Sequence, residues 1–182
     1  MARRQIPWLT LMPPIIFAGF VGIFFSGMLK DDQGSLPSAF IGRQAPALEL
    51  VALGNKPAPS SEDLSAQTIK IVNFWASWCA PCRVEHPILM DLAAEGIPII
   101  GINYKDTPEN ALEFLAELGD PYTAIGADEA GRNGFSWGVY GIPETFIVNG
   151  SGEIIYRFAG PVTQAVLDTK MRKYLDDAAT VD

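Results

Sequence analysis

A chain of 182 residues, 48% of them hydrophobic, is long enough for one domain with its own core plus an appendage. The formal net charge of −8 argues against nucleic acid, which needs clustered basic side chains. Two cysteines held within one tetrapeptide cannot build a disulfide scaffold, so they mark a site.

Ile6 to Leu29 holds no charged residue and has about the length of a bilayer-spanning helix. Pro13 and Pro14 would kink or shorten its regular part. The apolar run exceeds the ~7–15 residues of a signal-peptide core, and no clear Ala-x-Ala site follows. An uncleaved anchor is therefore favoured over a cleaved signal peptide. Arg3 and Arg4 precede the run, while Asp31 and Asp32 follow the single Lys30. That bias puts the N-terminus in the cytoplasm and the rest of the chain outside. Residues 1–30 are read as a membrane anchor, 31–39 (with Gly34 and Pro37) as a tether, and 40–182 as the folded domain.

Within the domain, Ala47 to Leu53 reads as an edge strand and Gly54 to Ser61 as a loop. Leu64 to Lys70 leads into the apolar, β-branched run Ile71 to Phe74, which reads as a buried strand. Arg83 to Glu95 reads as a helix, with Ile88, Leu89, Leu92 and Ala93 at helical spacing and Gly96 ending it. Ile97 to Asn103 is a second strong apolar run. Thr107 can cap a helix with Pro108 at its first position, followed by Ala111, Leu112, Leu115 and Leu118 on one face. Tyr122 to Gly126 looks like a short strand, and 128–137 a Gly-rich loop with a helical turn. Thr145 to Val148 and Glu153 to Phe158 flank Asn149-Gly-Ser-Gly152, a hairpin signal. A last helix, Thr163 to Leu175, carries Val166, Leu167 and Leu175. Strands alternating with helices, then a hairpin and a helix, fit an α/β sandwich.

Cys79-Ala-Pro-Cys82 sits where the first buried strand hands over to its helix. There the free N–H groups and the positive dipole end favour an anion. A thiolate at Cys79 is such an anion, so its pKa should fall below that of an ordinary thiol. Cys82, one turn on, can attack a mixed disulfide formed at Cys79. Two structural thiols and half of a metal site are the alternatives. A tetrahedral site needs four ligands, and His86 is the only histidine. A redox pair is the reading the motif favours.

Ile71–Ala93 resembles the active-site strand and helix of thioredoxin, and Gly138-Val-Tyr-Gly-Ile142-Pro143-Glu144-Thr-Phe resembles its cis-proline segment. Three stretches look more like one branch of that superfamily: Trp78-Cys-Ala-Pro-Cys-Arg-Val-Glu85-His86-Pro87, Gly101-Ile-Asn-Tyr-Lys-Asp106 and Gly138 to Phe146. They resemble the CcmG/DsbE family, thiol:disulfide interchange proteins of cytochrome c maturation, over about Ile41 to Tyr174. The resemblance implies a thioredoxin-like three-layer sandwich with a central mixed sheet, an inserted segment near Thr107–Tyr122, and one N-terminal transmembrane helix. It implies Cys79 as nucleophile, Cys82 as resolving thiol, and no cofactor or metal beyond the redox-active Cys79–Cys82 disulfide. Pro143 is the expected cis-proline, which from sequence alone would be improbable. Ile142 would offer its backbone to an extended substrate, and Trp78 would form part of the substrate face. Thioredoxin typically carries a buried aspartate where this chain has Asn73. Glu85 and Glu144 match acidic positions of the family pattern, and either could take the Cys82 proton. Their charge would also limit thiolate stabilisation, which favours a reductant. The alternative for each is a solvated surface acid; His86 is read as a helix surface residue, with a catalytic role as the alternative. The implied activity is reduction of apocytochrome c haem-site disulfides, or of a maturation-partner mixed disulfide, in the periplasm. Electrons would come from a membrane thiol-reducing protein. A thiol peroxidase of peroxiredoxin type and a copper-binding assembly factor are the rival readings.

Overall fold

The computed structural model describes the backbone of residues 8–28 and 40–176 and the side chains of 12–26 and 40–176. The chain divides into two compact units, Met1–Leu36 and Pro37–Asp182. In the first, α1 (Trp8–Met28) is a 21-residue helix without a charged residue, and Pro13 and Pro14 lie inside it. Ile15, Phe17, Phe20 and Phe24 are exposed around it. Among the described residues no helix is long and apolar enough to cross a membrane; the side chains described in α1 cover only 12–26. Arg3, Arg4, Lys30 and the tether expected at 31–39 lie outside the described residues.

The second unit is built on a six-stranded mixed sheet in the order β1-β4-β3-β2-β5-β6. Its strands are β1 (Val51–Ala52), β2 (Lys70–Trp75), β3 (Ile99–Tyr104), β4 (Ala124–Asp128), β5 (Glu144–Val148) and β6 (Ile154–Ala159). β2 and β3 run parallel, as do β3 and β4. β5 joins β2 antiparallel, and β6 closes the expected hairpin. Every residue of β2 is buried, as a strand covered on both faces must be.

Alternation along β2 divides the interior. Ile71 and Trp75 enter one core with Leu89, Leu92, Phe114 and Met171. Val72 and Phe74 enter the other with Leu48, Leu64, Trp137 and Phe146. The helices of the first core are α3 (Ala80–Ala94), α4 (Pro108–Leu118) and the C-terminal run. That run passes from α6 (Gln164–Val166) through a π-helical turn (Leu167–Met171) into α7 (Arg172–Asp176). The other face is covered by α2 (Ser61–Leu64), α5 (Arg132–Ser136) and the extended chain around Leu48.

Local chemistry explains most boundaries. Thr107 Oγ accepts from the Asn110 N–H and Pro108 opens α4, so the segment expected as an insertion is the crossover helix between parallel β3 and β4. α3 begins three residues before the expected Arg83, because Pro81 lies in the first turn, where its missing N–H is no loss. α2 lies in a stretch read as irregular. It is held by a capping box in which Ser60 accepts from the Asp63 N–H and Asp63 accepts from the Ser60 N–H.

Candidate active site

Cys79 is the N-cap of α3, and its sulfur accepts the Cys82 N–H at 3.2 Å. The two cysteines are joined in a disulfide with a Cα–Cα separation of 5.3 Å. Their residues are only 3% and 2% exposed, so little of either is open to attack. The loop that leads into Cys79 is tied down. Ser77 donates its N–H and its hydroxyl to Asp106, at 2.6 and 2.9 Å. Asn103 Nδ2 and the Thr107 N–H complete the Asp106 cluster. Trp78, 59% exposed, donates its indole N–H to the Lys105 carbonyl at 3.0 Å. Asp106 thus clamps the cysteine loop to the β3–α4 loop. It stood inside a quoted motif without an assigned role, and only the fold brings it to Ser77.

Glu85 lies one turn beyond Cys82 on the buried face of α3, so their side chains are neighbours. It is fully buried and is no solvated surface acid. Its partners are neutral: the Val162 N–H at 2.9 Å and Asn73 Nδ2 at 2.8 Å. Burial raises its pKa from 4.5 to about 7, opposed by those two donors. Asn73, in the position of thioredoxin's aspartate, therefore does not leave the site without an acid; Glu85 reaches in from the helix.

Glu144 is equally buried but sits elsewhere. Its register partner on β2 is Phe74, so it belongs to the face opposite the one that holds both cysteines. Arg157 of β6 forms an ion pair with Glu144 Oε1 and donates to the Gly138 carbonyl at 2.8 Å. The same guanidinium lies over the Tyr140 and Phe146 rings. Burial pushes the Glu144 carboxyl up, and Arg157 opposes the rise. Of the two glutamates expected beside the pair, the structure brings only Glu85 there.

The Ile142–Pro143 peptide is cis. Because β5 pairs with β2 up to Glu144–Phe74, residues 142–143 lie beside the chain leaving β2 for Cys79. Ile142 packs against both cores, and neither its N–H nor its C=O has a hydrogen-bond partner among the described residues. Trp75 is buried and stacked on Tyr122. His86 is not a surface residue: it is 2% exposed, bonds the Gly119 carbonyl at 3.0 Å and packs edge-on against Phe114. The C-terminal end of α4, with Phe114 and the Gly119 carbonyl, covers His86. No group of three or more His, Cys, Asp or Glu side chains able to hold a metal ion occurs among the described residues.

A cysteine pair capping a helix, with a cis-proline beside it and a buried acid behind it, defines a dithiol–disulfide oxidoreductase on a thioredoxin-like mixed sheet. The Redoxin family profile matches residues 40–175. The thiol:disulfide interchange protein HelX of Rhodobacter capsulatus is 49% identical over 174 residues, covering 96% of this chain and 98% of its own. DsbE of Escherichia coli K12 is 38% identical, covering 93% and 96%. Among solved structures, a DsbE-type protein of Chlorobium tepidum aligns with a TM-score of 0.61 at 26% identity, over 78% of this chain and 99% of its own. The thioredoxin domain of a Bacteroides vulgatus thiol-disulfide oxidoreductase shares the fold at the same TM-score and 24% identity, over 76% and 99%. The chain belongs to the Redoxin family, in its group of DsbE/HelX-type thiol:disulfide interchange proteins, and is a thiol–disulfide oxidoreductase.

Proposed function

We propose that the protein is a membrane-anchored periplasmic reductant acting during cytochrome c assembly, with residues 1–30 as anchor, 31–39 as tether and 40–182 as the catalytic domain. The Cys79 thiolate attacks one sulfur of a target disulfide, releasing the other target sulfur as a thiolate and forming a mixed disulfide. Glu85 takes the Cys82 proton. Cys82 then attacks the Cys79 sulfur, closing the Cys79–Cys82 disulfide and releasing the second target thiolate. Two electrons have passed to the target, which is the haem-site disulfide of an apocytochrome c or a maturation partner. A membrane thiol-reducing protein restores the dithiol, and no other cofactor takes part. Ile142, Pro143 and Trp78 receive the substrate backbone, and the Glu144–Arg157 pair holds the loop that presents it.

The observation that carries this reading is the buried Glu85 one turn from Cys82, its carboxyl raised to about 7 by burial and faced only by neutral donors. A proton acceptor with its pKa near ambient pH is the efficient kind. The uncharged Ile6–Leu29 run, with its flanking charges, supports the anchor and its orientation. Trapping tests the reading. A Cys82→Ser variant should accumulate mixed disulfides through Cys79 with Cys-x-x-Cys-His-bearing partners in a periplasmic extract. A variant that traps no such partner would contradict the assignment.

A further inference from the structure

Behind the cysteines, buried side chains from β2, α3, β5 and the approach to β4 share one hydrogen-bonded chain. The Tyr122 hydroxyl donates to Asn73 Oδ1 at 3.0 Å. Asn73 Nδ2 donates to Glu85 Oε1 at 2.8 Å and to Thr145 Oγ1 at 3.1 Å. Tyr122 reaches Asn73 because Gly101, the register partner of Asn73 on β3, has no side chain. A Cβ there would meet the Tyr122 ring at 2.7 Å.

A primary amide presents donors on one side and an acceptor on the other. With Nδ2 toward Glu85, Asn73 stabilises the carboxylate. With Oδ1 there instead, it would accept the proton of the carboxylic acid and stabilise that form. The remaining partners decide between the two orientations. Thr145 can donate or accept and so does not choose. Tyr122 does choose: its hydroxyl proton has no other acceptor among the described residues, and a flipped amide would leave a buried O–H unpaired. Burial, and then the charge of Glu85, push this hydroxyl well above its usual range, so it stays a donor.

We propose that Tyr122 is a positioning residue of the thiol–disulfide reaction, which locks the Asn73 amide with its donor side on Glu85 and so keeps Glu85 a proton acceptor rather than a resting acid. The proposal rests on the reading of Glu85 as acceptor of the Cys82 proton. The other groups around Glu85 are few among the described residues. On α3, Arg83 turns away to Glu117 and His86 to the Gly119 carbonyl. Asn73 and Thr145 do not titrate, and the chain before α6 contributes the Val162 N–H. Asp120, near Tyr122, pairs with Lys56. In the oxidised protein neither cysteine titrates.

The test is the carboxyl ¹³C titration of Glu85 in the oxidised full chain in detergent. Tyr122→Phe, which keeps the ring against Trp75 and Gly101, should move the Glu85 midpoint upward by about one pH unit, the size of one charge-assisted hydrogen bond reversed. Gly101→Ala, which displaces the ring with its hydroxyl intact, should move it the same way, while Thr145→Val should leave it near wild type. Loss of structure alone would admit water and lower the midpoint toward 4.5. An unchanged or lowered midpoint in Tyr122→Phe, or in Gly101→Ala if the first variant does not fold, overturns the proposal. Failure of the underlying reading shows differently: Glu85→Gln would resolve a mixed disulfide at the wild-type rate whatever the titration shows.

Discussion

Glu85 and Glu144 are both fully buried and both pushed up by burial, one beside the cysteine pair and one on the opposite face next to the cis-proline. They differ in what faces them. Glu85 has an amide and a backbone N–H, so its proton can come and go near neutrality. Glu144 has Arg157, which also holds the Gly138 carbonyl and lies over the Tyr140 ring. One carboxylate is left free to titrate; the other is fixed into the strut of the Pro143 loop. Burial raises both carboxyls; what differs is the partner, two neutral donors for Glu85 and a guanidinium for Glu144.

The largest expected effect comes from breaking the strut. Arg157→Met leaves Glu144 buried without its cation and should cost about 3–5 kcal/mol in urea unfolding of the oxidised protein. A loss below about 1 kcal/mol would mean that the pair does not support the loop. Next comes the pH dependence of stability. The folded pKa of Glu85, about 7, lies above its ordinary 4.5, so the folded state binds that proton more tightly. Its share of stability is present below the ordinary value and is lost as pH rises through about 7. The loss is up to roughly 3 kcal/mol, and Glu85→Gln should flatten it. An equal slope in the Gln variant would place the titration elsewhere.

Redox equilibration sharpens the same comparison. Removing the Glu85 charge should ease thiolate formation, stabilise the reduced form and raise the potential by roughly 10–30 mV above pH 7. Glu144→Gln, on the other face and already neutralised by Arg157, should leave it within error. Equal shifts from both would erase the distinction. The smallest effect belongs to the cysteine loop: Ser77→Ala, losing one of the donors to Asp106, should cost about 1 kcal/mol and leave the titration of both glutamates unchanged.

What the sequence made legible was local. The strand–Cys-x-x-Cys–helix junction, the Thr107-Pro108 start of α4 and the Asn149-Gly-Ser-Gly152 hairpin carry their chemistry within a few residues. The short α2, whose capping box Ser60–Asp63 was present in the letters, and the π-turn at Leu167–Met171 passed unread. The division of labour between the glutamates was not legible, because it depends on the register Glu144–Phe74 and on Arg157 arriving from the next strand. His86 was read as exposed because Phe114 of α4 and the Gly119 carbonyl, which cover it, arrive only through the fold. Asp106 likewise gains meaning only when β3 lies beside β2.

The most direct test of the central claim is the single-turnover rate at which Cys82 resolves a preformed Cys79 mixed disulfide, followed against pH in wild type, Glu85→Gln and Glu144→Gln. The account predicts a wild-type rate that rises through a midpoint near 7, as Glu85 becomes able to accept a proton. It predicts a loss of about 10²-fold in Glu85→Gln with that midpoint gone, and a wild-type profile in Glu144→Gln. A wild-type rate and midpoint in Glu85→Gln would contradict it.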